Sequence, residues 1–174
     1  APGEEAPIYV QGPRTIVGLN ESVNGGSELA ISSNNWAIYV GGGGLGGPVH
    51  FSDFAIQGTG MISDGGIQVS NDSGYHNCFS FIQNLHLYTL PVGIDFEKGC
   101  GQKIWGNFFY NYSSVGLKIR NTYAPDAGDQ SIMGNNFLYL GAGGIGTTAL
   151  VWESAGGAKI IGNKFNTQGR GIDM

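Results

Sequence analysis

Three copies of one hexapeptide pattern dominate the second half of the chain: Ile-Trp-Gly-Asn-Phe-Phe at 104–109, Ile-Met-Gly-Asn-Asn-Phe at 132–137 and Ile-Ile-Gly-Asn-Lys-Phe at 160–165. The shared Gly-Asn pair tolerates the left-handed backbone conformation that a tight turn requires. Two weaker copies precede them, Phe-Ile-Gln-Asn-Leu-His at 81–86 and a segment around Asp53 and Phe54. The Asn/Asp positions 53, 84, 107, 135 and 163 are spaced by 31, 23, 28 and 28 residues, and such a period is typical of a solenoid.

A second repeated pattern reads small, apolar, variable, apolar. It occurs as Gly-Ile-Gln-Val at 66–69, Gly-Ile-Asp-Phe at 93–96, Gly-Leu-Lys-Ile at 116–119, Ala-Leu-Val-Trp at 149–152 and Gly-Ile-Asp-Met at 171–174. Period-two alternation indicates a strand with one buried face. Each repeat therefore contains at least two short strands, which we expect to pair in parallel with their copies one rung, ~4.8 Å, away.

The composition supports an ordered, turn-rich, all-β chain. Gly contributes 32 of 174 residues and charged residues are 12% of the chain, whereas ~25% charged is usual. Hydrophobic residues still make up 41%, enough to form a core. We predict one continuous domain of five to seven rungs, with the N-terminal strands and first rungs or a cap at 1–48 and regular rungs at 49–174. We also expect the chain to be a processed protein or a fragment.

Stacked rungs place equivalent residues above one another along the axis. Phe109, Phe137 and Phe165 predict an internal pile of aromatic rings, with His86 one rung earlier. The repeated asparagines predict a ladder of hydrogen bonds along the same axis. Both features are structural.

These rungs resemble the right-handed parallel β-helix of the pectin-lyase-like superfamily. The resemblance lies in the Ile-x-Gly-Asn-x-Phe turns, the Gly-Ile-x-apolar strands and the asparagine and phenylalanine stacks, and it covers about residues 49–174. Within that superfamily, the Gly-rich rungs of low charge are most similar to bacteriophage tailspikes and related polysaccharide-acting proteins. The resemblance implies a right-handed, single-stranded parallel β-helix, a bacterial surface polysaccharide as partner, and a location in the virion tail or outside the cell.

One sheet is predicted to be apolar on both faces. Its second column contains Ile82, Trp105, Met133 and Ile161, next to Phe81, Ile104, Ile132 and Ile160. A sheet with one face on the core should carry polar residues on the other. An exposed apolar patch usually marks an interface between subunits. Tailspikes pack three parallel β-helices side by side, so the resemblance to them implies a homotrimer. The alternatives are local irregularity or cover by a loop or a terminal segment.

Carboxylates on successive rungs are the candidate catalytic groups. Glu97, Arg120 and Glu153 each follow a predicted strand, which places the two glutamates two rungs, ~9.6 Å, apart with Arg120 between them. Inverting hydrolysis of a polysaccharide uses two carboxylates ~6.5–9.5 Å apart. The alternative is a ladder of surface salt bridges. The Asn-Thr-Asp, Asp-Asp and Gly-His-Gly motifs expected of polygalacturonase-like hydrolases are missing.

A sugar-binding site needs aromatic and polar side chains but no catalytic pair of carboxylates. Aromatic rings stack on sugar faces, and polar side chains bind hydroxyl groups. Candidates for sugar contact are Tyr110, Tyr112, Tyr139, Trp152 and Asp95. Aromatic residues in a β-solenoid also serve in packing and interfaces, which is the alternative for each of them.

Several classes of partner are disfavoured by the sequence. The net charge of −5 argues against nucleic acid as partner, and no apolar run approaches the ~18 residues of a membrane span. The histidines lack metal-ligand spacing, so we predict neither a metal site nor a cofactor. Cys78 and Cys100 match no metal or redox motif and are either free thiols or one disulfide.

The sequence thus predicts a tailspike-like β-helix that binds host surface polysaccharide, with or without depolymerase activity. One alternative is a secreted bacterial polysaccharide hydrolase or lyase of the same fold. A second is a purely structural segment of a virion or surface fibre.

Overall fold

A computed structural model of the chain describes residues 8–10, 14–18, 27–32, 34–41, 48–59, 64–70, 80–97, 101–120, 130–139, 146–153, 157–167 and 169–174. Cys78 and Cys100 lie outside the described residues. Nineteen strands and no helix occur in the described part of the chain. They form three sheets, A, B and C, in which every paired strand is parallel to its neighbour.

The chain visits sheets A, B and C in turn, so each strand pairs with the strands three positions before and after it. Sheet A contains β1 (Ile8–Val10), β4 (Ile38–Val40), β7 (Gly65–Val69), β10 (Val92–Phe96), β13 (Val115–Ile119), β16 (Thr148–Trp152) and β19 (Arg170–Asp173). Sheet B contains β2 (Arg14–Val17), β5 (Val49–Ser52), β8 (Phe81–Gln83), β11 (Lys103–Trp105), β14 (Gln130–Met133) and β17 (Ala158–Ile161). Sheet C contains β3 (Glu28–Ile31), β6 (Ala55–Gly58), β9 (His86–Tyr88), β12 (Phe108–Tyr110), β15 (Asn136–Leu138) and β18 (Lys164–Asn166).

This topology is a parallel β-helix. Strands β1–β3 form rung 1, and each following set of three forms the next rung, up to β16–β18 in rung 6, after which β19 begins another. The predicted all-β class and the predicted number of rungs are confirmed. The strands within residues 1–48 belong to the same three sheets as those that follow.

Alternating residues of all three sheets meet in one central core. Sheet A contributes Ile67, Ile94 and Leu117, sheet B contributes Ile82, Ile104 and Ile132, and sheet C contributes Leu87, Phe109 and Phe137; all are at most 2% exposed. Since a strand of three to five residues buries too little alone, this shared core is what stabilises each rung.

The predicted pile of phenylalanine rings is confirmed. The Phe109 and Phe137 ring centroids lie 4.6 Å apart at an interplanar angle of 6°, and those of Phe137 and Phe165 lie 5.1 Å apart at 8°. The rung before Phe109 contributes Leu87 to this column. The prediction that His86 belongs to the pile was wrong, because His86 pairs with Phe108 and faces outward.

Glycines of sheet A make room for these rings. A Cβ atom on Gly93 would lie 2.7 Å from Phe109 Cδ1, and one on Gly116 would lie 2.8 Å from Phe137 Cδ1. Both distances are shorter than van der Waals contact. A backbone carbonyl oxygen of the next rung would be closer still, at 2.4 Å for Gly93 and 2.7 Å for Gly116, so the facing ring and the neighbouring strand both require glycine at these two positions.

The predicted Asn/Asp column was wrong in part, because its five residues occupy two different positions in the turn between sheets B and C. Asp53, Asn84, Gly106, Gly134 and Gly162 share one turn position and all have φ between 51° and 64°. The next position contains Leu85, Asn107, Asn135 and Asn163. Asn84 therefore occupies the glycine position, and the copy at 81–86 aligns one residue later than the sequence indicated.

The asparagine ladder itself is present. Asn107 Nδ2 donates to Asn135 Oδ1 (3.0 Å), and Asn135 Nδ2 donates to Asn163 Oδ1 (2.9 Å). Each acceptor oxygen also binds the backbone N–H of the previous asparagine, at 2.9 Å in both cases. The Nδ2 group of Asn135 reaches in addition the carbonyl oxygen of Ile104 at 2.8 Å. The side chains thus satisfy backbone groups that the sharp turn leaves unpaired.

The ring pile predicts a graded loss of stability. Phe137→Ala should lower the free energy of unfolding by ~3–5 kcal/mol, because Phe137 is buried between two rings. Phe165→Ala is the matched control and should cost less, because Phe165 is partly exposed at the end of the pile. Chemical denaturation measures both. Equal losses for the two variants would contradict the internal pile.

Candidate functional site

The predicted catalytic residues occupy one column at the edge of sheet A. The backbone N–H groups of Glu97, Arg120 and Glu153 donate to the carbonyl oxygens of Val69, Phe96 and Ile119, at 3.0, 2.7 and 2.8 Å respectively. The three residues therefore stand on rungs 4, 5 and 6, with the glutamates ~9.6 Å apart along the axis. Their catalytic role remains a prediction.

Arg120 binds two carboxylates of the preceding rung. Its Nε donates to Asp95 Oδ1 (2.9 Å), its NH2 group contacts Asp95 Oδ2, and the same NH2 group donates to Glu97 Oε1 (3.0 Å). Glu153 pairs instead with Lys118, with 3.4 Å between Nζ and Oε1. The guanidinium of Arg120 thus binds Glu97 and not Glu153.

Both oxygens of Glu97 are also hydrogen-bonded from rung 3. Gln68 Nε2 donates to Oε1 at 3.1 Å, and the Ser70 hydroxyl donates to Oε2. Polar contacts therefore connect rungs 3 to 6 along this face. In this arrangement Glu97 is a tightly held acceptor, and proton transfer by Glu97 would require these bonds to open.

Asp95 is the buried charge of this network, 5% exposed. Burial raises the pKa of Asp95, even though its hydrogen bonds to Arg120 act in the opposite direction. The pKa of Arg120 is raised as well, first by its hydrogen bond to Asp95. A carboxyl with a raised pKa suits a general acid, but both oxygens of Asp95 are occupied by the guanidinium.

The predicted sugar-binding residues separate into surface and core positions. Tyr110 is half-buried on the outer face of sheet C. Tyr112 is 2% exposed and belongs to the core, so its ring is closed to a surface ligand. Tyr139 packs against Tyr112 at 6.0 Å between centroids, and Trp152 occupies the core column of sheet A above Ile119. Asp95 is buried under Arg120.

Tyr110 belongs to an array of four aromatic rings, called here the aromatic array. His86 and Tyr88 of rung 3 stand beside Phe108 and Tyr110 of rung 4. The centroid distances are 5.8 Å for His86 to Tyr88, 5.6 Å for His86 to Phe108, 5.8 Å for Tyr88 to Tyr110 and 6.0 Å for Phe108 to Tyr110. All four side chains are half-buried, so the array presents part of each ring to solvent.

The polar groups around the array carry hydrogen-bonding capacity. Tyr88 Oη and His86 Nδ1 lie 2.8 Å apart. Burial, followed by the charge of Glu28, raises the pKa of Tyr88, so its hydroxyl remains neutral at physiological pH. The amide of Gln57 stands beside Tyr88, and that of the half-buried Asn136 stands beside Phe108.

Sequence reasoning missed three members of the array. The one-residue misalignment at 81–86 assigned His86 to the core and left Tyr88 without a column. Phe108 was assigned neither to the core nor to the outer face. Alternation along His-Leu-Tyr at 86–88 and Phe-Phe-Tyr at 108–110 was the available signal, because an apolar central residue predicts two outward neighbours.

The outer face of sheet B contains a groove of about 850 Å³. Its side-chain lining comprises Lys103, Trp105, Gln130, Ser131, Met133 and Lys159. Ile82 does not belong to this face, since it pairs with Ile104 in the core. The predicted apolar outer column is therefore shortened to Trp105, Met133 and Ile161, and lysines stand in the column beside it.

Two further properties concern the described residues alone. They contain no cluster of three or more His, Cys, Asp or Glu residues arranged to hold a metal ion. None of the described segments forms a helix of the length and apolarity that crossing a bilayer requires.

The raised pKa of Asp95 predicts a pH dependence with a definite sign. A carboxyl whose pKa is higher in the folded state favours folding below its unfolded pKa, and loses that contribution as the pH rises through the folded value. Asp95→Asn should therefore stabilise the chain more at about pH 7 than at about pH 3, relative to the parent. Denaturant midpoints across this range measure the difference. Asp173→Asn, at an exposed position of the same outward column, is the control. The opposite trend would show that Arg120, not burial, dominates.

Comparison with known proteins found no match among protein-family models, curated proteins or solved structures. We therefore infer function from the chemistry of the three outer faces.

Proposed function

We propose that this chain binds bacterial surface polysaccharide through the aromatic array on sheet C, as the shaft or receptor-binding part of an assembly similar to a bacteriophage tailspike. The array is the observation that supports this function best. It combines four aromatic rings, two on each of two adjacent rungs, with amides at its margin.

The array suits a sugar for a physical reason. One face of a pyranose ring exposes C–H groups, which pack on aromatic rings, while the hydroxyl groups at its rim require donors and acceptors. Here the rings supply the packing surface. The Tyr88 hydroxyl, the Gln57 amide and the Asn136 amide supply polar partners at the margin.

The β-helix also fixes the array in place. His86, Tyr88, Phe108 and Tyr110 are held by parallel strand pairing, and the residue between each pair, Leu87 or Phe109, is anchored in the core. A site on rigid strands loses little conformational entropy on binding. A repeating polysaccharide fits such a surface because the rungs themselves repeat along the axis.

Assembly and location are parts of the same proposal. By resemblance to tailspikes, we propose a homotrimer in a virion tail or outside the cell. Native mass spectrometry tests the oligomeric state.

Cleavage of the polysaccharide is the second candidate function. It is favoured by Glu97 and Glu153, which stand two rungs apart on one face with Arg120 between them. If this pair is catalytic, Glu97→Gln and Glu153→Gln should each abolish shortening of the glycan without reducing its binding. Size-exclusion chromatography of the incubated polysaccharide measures this. Undiminished cleavage by both variants, or no cleavage by the parent across a polysaccharide panel, would contradict it.

The aromatic array predicts a defined loss of binding. The double variant Tyr88→Ala, Tyr110→Ala should bind bacterial surface polysaccharides at least about tenfold more weakly, equivalent to about 1.4 kcal/mol, because it removes one ring from each rung. Retention on immobilised polysaccharides measures this.

Tyr39→Ala is the matched control, since Tyr39 is a half-buried tyrosine on the outer face of sheet A. Its binding should equal that of the parent. Thermal unfolding of all variants establishes that they are folded. Equal retention by the folded double variant and the control would contradict the proposed site.

A further inference from the structure

The strands of sheet B differ from those of the other two sheets in charge. The six strands of sheet B contain Arg14, His50, Lys103 and Lys159 and no Asp or Glu. The strands of sheet A contain both signs of charge, Asp95 and Asp173 together with Lys118 and Arg170. A chain with net charge −5 thus keeps one of its faces free of carboxylates along the described strands.

Two lysines of the sheet B groove stand in a single column. Lys103 pairs in register with Ser131, and Ser131 pairs with Lys159. The lysines therefore lie on rungs 4 and 6, ~9.6 Å apart at their backbones, with a hydroxyl between them. This spacing presents two positive charges along the axis of the β-helix.

Aromatic rings hold the first of these charges in place. Lys103 Nζ lies 5.9 Å from the centroid of Phe81 and 5.5 Å from that of Trp105. The two rings pack edge to face at 5.0 Å, and Trp105 Nε1 donates to the Ser131 hydroxyl at 3.2 Å. The ammonium group is thus fixed beside a half-buried indole ring.

Gln130 borders the same groove as a buried residue. It is 1% exposed and shares the inward column of β14 with Ile132, whereas Ser131 and Met133 point outward. The next rung places the small side chain of Ala158 over Gln130. The exposed lysines and the half-buried Trp105 are therefore the groove residues open to a ligand.

We propose that the sheet B groove binds an anionic unit of the polysaccharide, a sugar that carries a carboxylate or sulfate group. Lys103 and Lys159 bind the negative charges, and Trp105 packs against a sugar face. The proposal rests on the proposed function, since it names the class of glycan. It adds a second contact surface, on the face next to the aromatic array.

The test compares glucans that share a backbone and differ in charge. The probes are hydroxyethyl-cellulose, which is neutral, carboxymethyl-cellulose, cellulose sulfate, and poly-glutamate as an acidic polymer without sugar. Equilibrium binding is measured for the intact chain at low and at raised salt. We expect at least one acidic glucan to bind about tenfold more tightly than the neutral one, with an affinity that falls as salt rises. The comparison of the carboxylate and sulfate probes identifies the anion.

Matched variants locate the site. Lys159→Gln and Lys164→Gln remove the same charge from the same rung, but Lys159 lies in the groove and Lys164 lies on sheet C. Lys159→Gln and Lys103→Gln should each weaken binding of the acidic glucan about fivefold or more and leave the neutral glucan unaffected. Lys164→Gln should bind both like the parent.

Three results would overturn the groove proposal. The first is equal behaviour of Lys159→Gln and Lys164→Gln. The second is binding of poly-glutamate as tight as that of the acidic glucans, which would show attraction by charge alone. The third is a Lys159→Gln variant whose oligomer dissociates, as seen by native mass spectrometry, while its affinity for the glucans is unchanged. The groove would then be a contact between copies of the chain.

The aromatic array is judged separately in the same experiment. The array is supported and the groove is refuted if the Tyr88→Ala, Tyr110→Ala variant no longer binds the neutral glucan while the lysine variants bind both glucans like the parent. The groove is supported and the array is refuted if the lysine variants bind the acidic glucan more weakly while the tyrosine variant binds both glucans like the parent.

Discussion

The hydrogen bond from one asparagine side chain to the asparagine of the next rung is the interaction on which the rest of this structure depends. The Nδ2 groups of Asn107 and Asn135 each donate hydrogen bonds to the side chain of the next asparagine and to a backbone carbonyl oxygen of the preceding rung. Because the acceptor oxygen also binds a backbone N–H, the rungs can stack at this corner in one register only. A shift by one residue would exchange inward and outward side chains on every strand. The ladder therefore decides which residues form the core and which face solvent.

Packing inside the β-helix follows from that register. Phe109 and Phe137 stack because their strands are aligned, and they fit because Gly93 and Gly116 face them across the core. The same alignment brings Phe108 and Tyr110 outward beside His86 and Tyr88. Core and surface columns are thus two results of one constraint, and surface chemistry can be built on rungs whose interior is already fixed.

Most of the fold could be predicted from sequence, since the repeated Gly-Asn turns and the period-two strands determine both topology and core. The site could be predicted only in part. Asn84 follows an apolar segment like the ladder asparagines, but it adopts φ 51° and fills the glycine position of the turn. Asn tolerates both roles, so sequence could not separate them. The resulting one-residue error moved His86 inward and Ile82 outward, and so hid the aromatic array and lengthened the apolar column. The partners of Arg120 depend on side-chain conformations that register alone does not specify.

The three outer faces differ in chemistry: sheet A carries an ion-pair network, sheet B a basic groove and sheet C the aromatic array. All three rely on the register that the asparagine ladder sets. The most direct test of this account is amide hydrogen exchange by NMR at the side chains and backbone N–H groups of Asn107 and Asn135. The account predicts that these protons exchange together, and only through global unfolding, because each is buried in the ladder. Exchange at the rate of an unstructured peptide, in a chain that is otherwise folded, would contradict it.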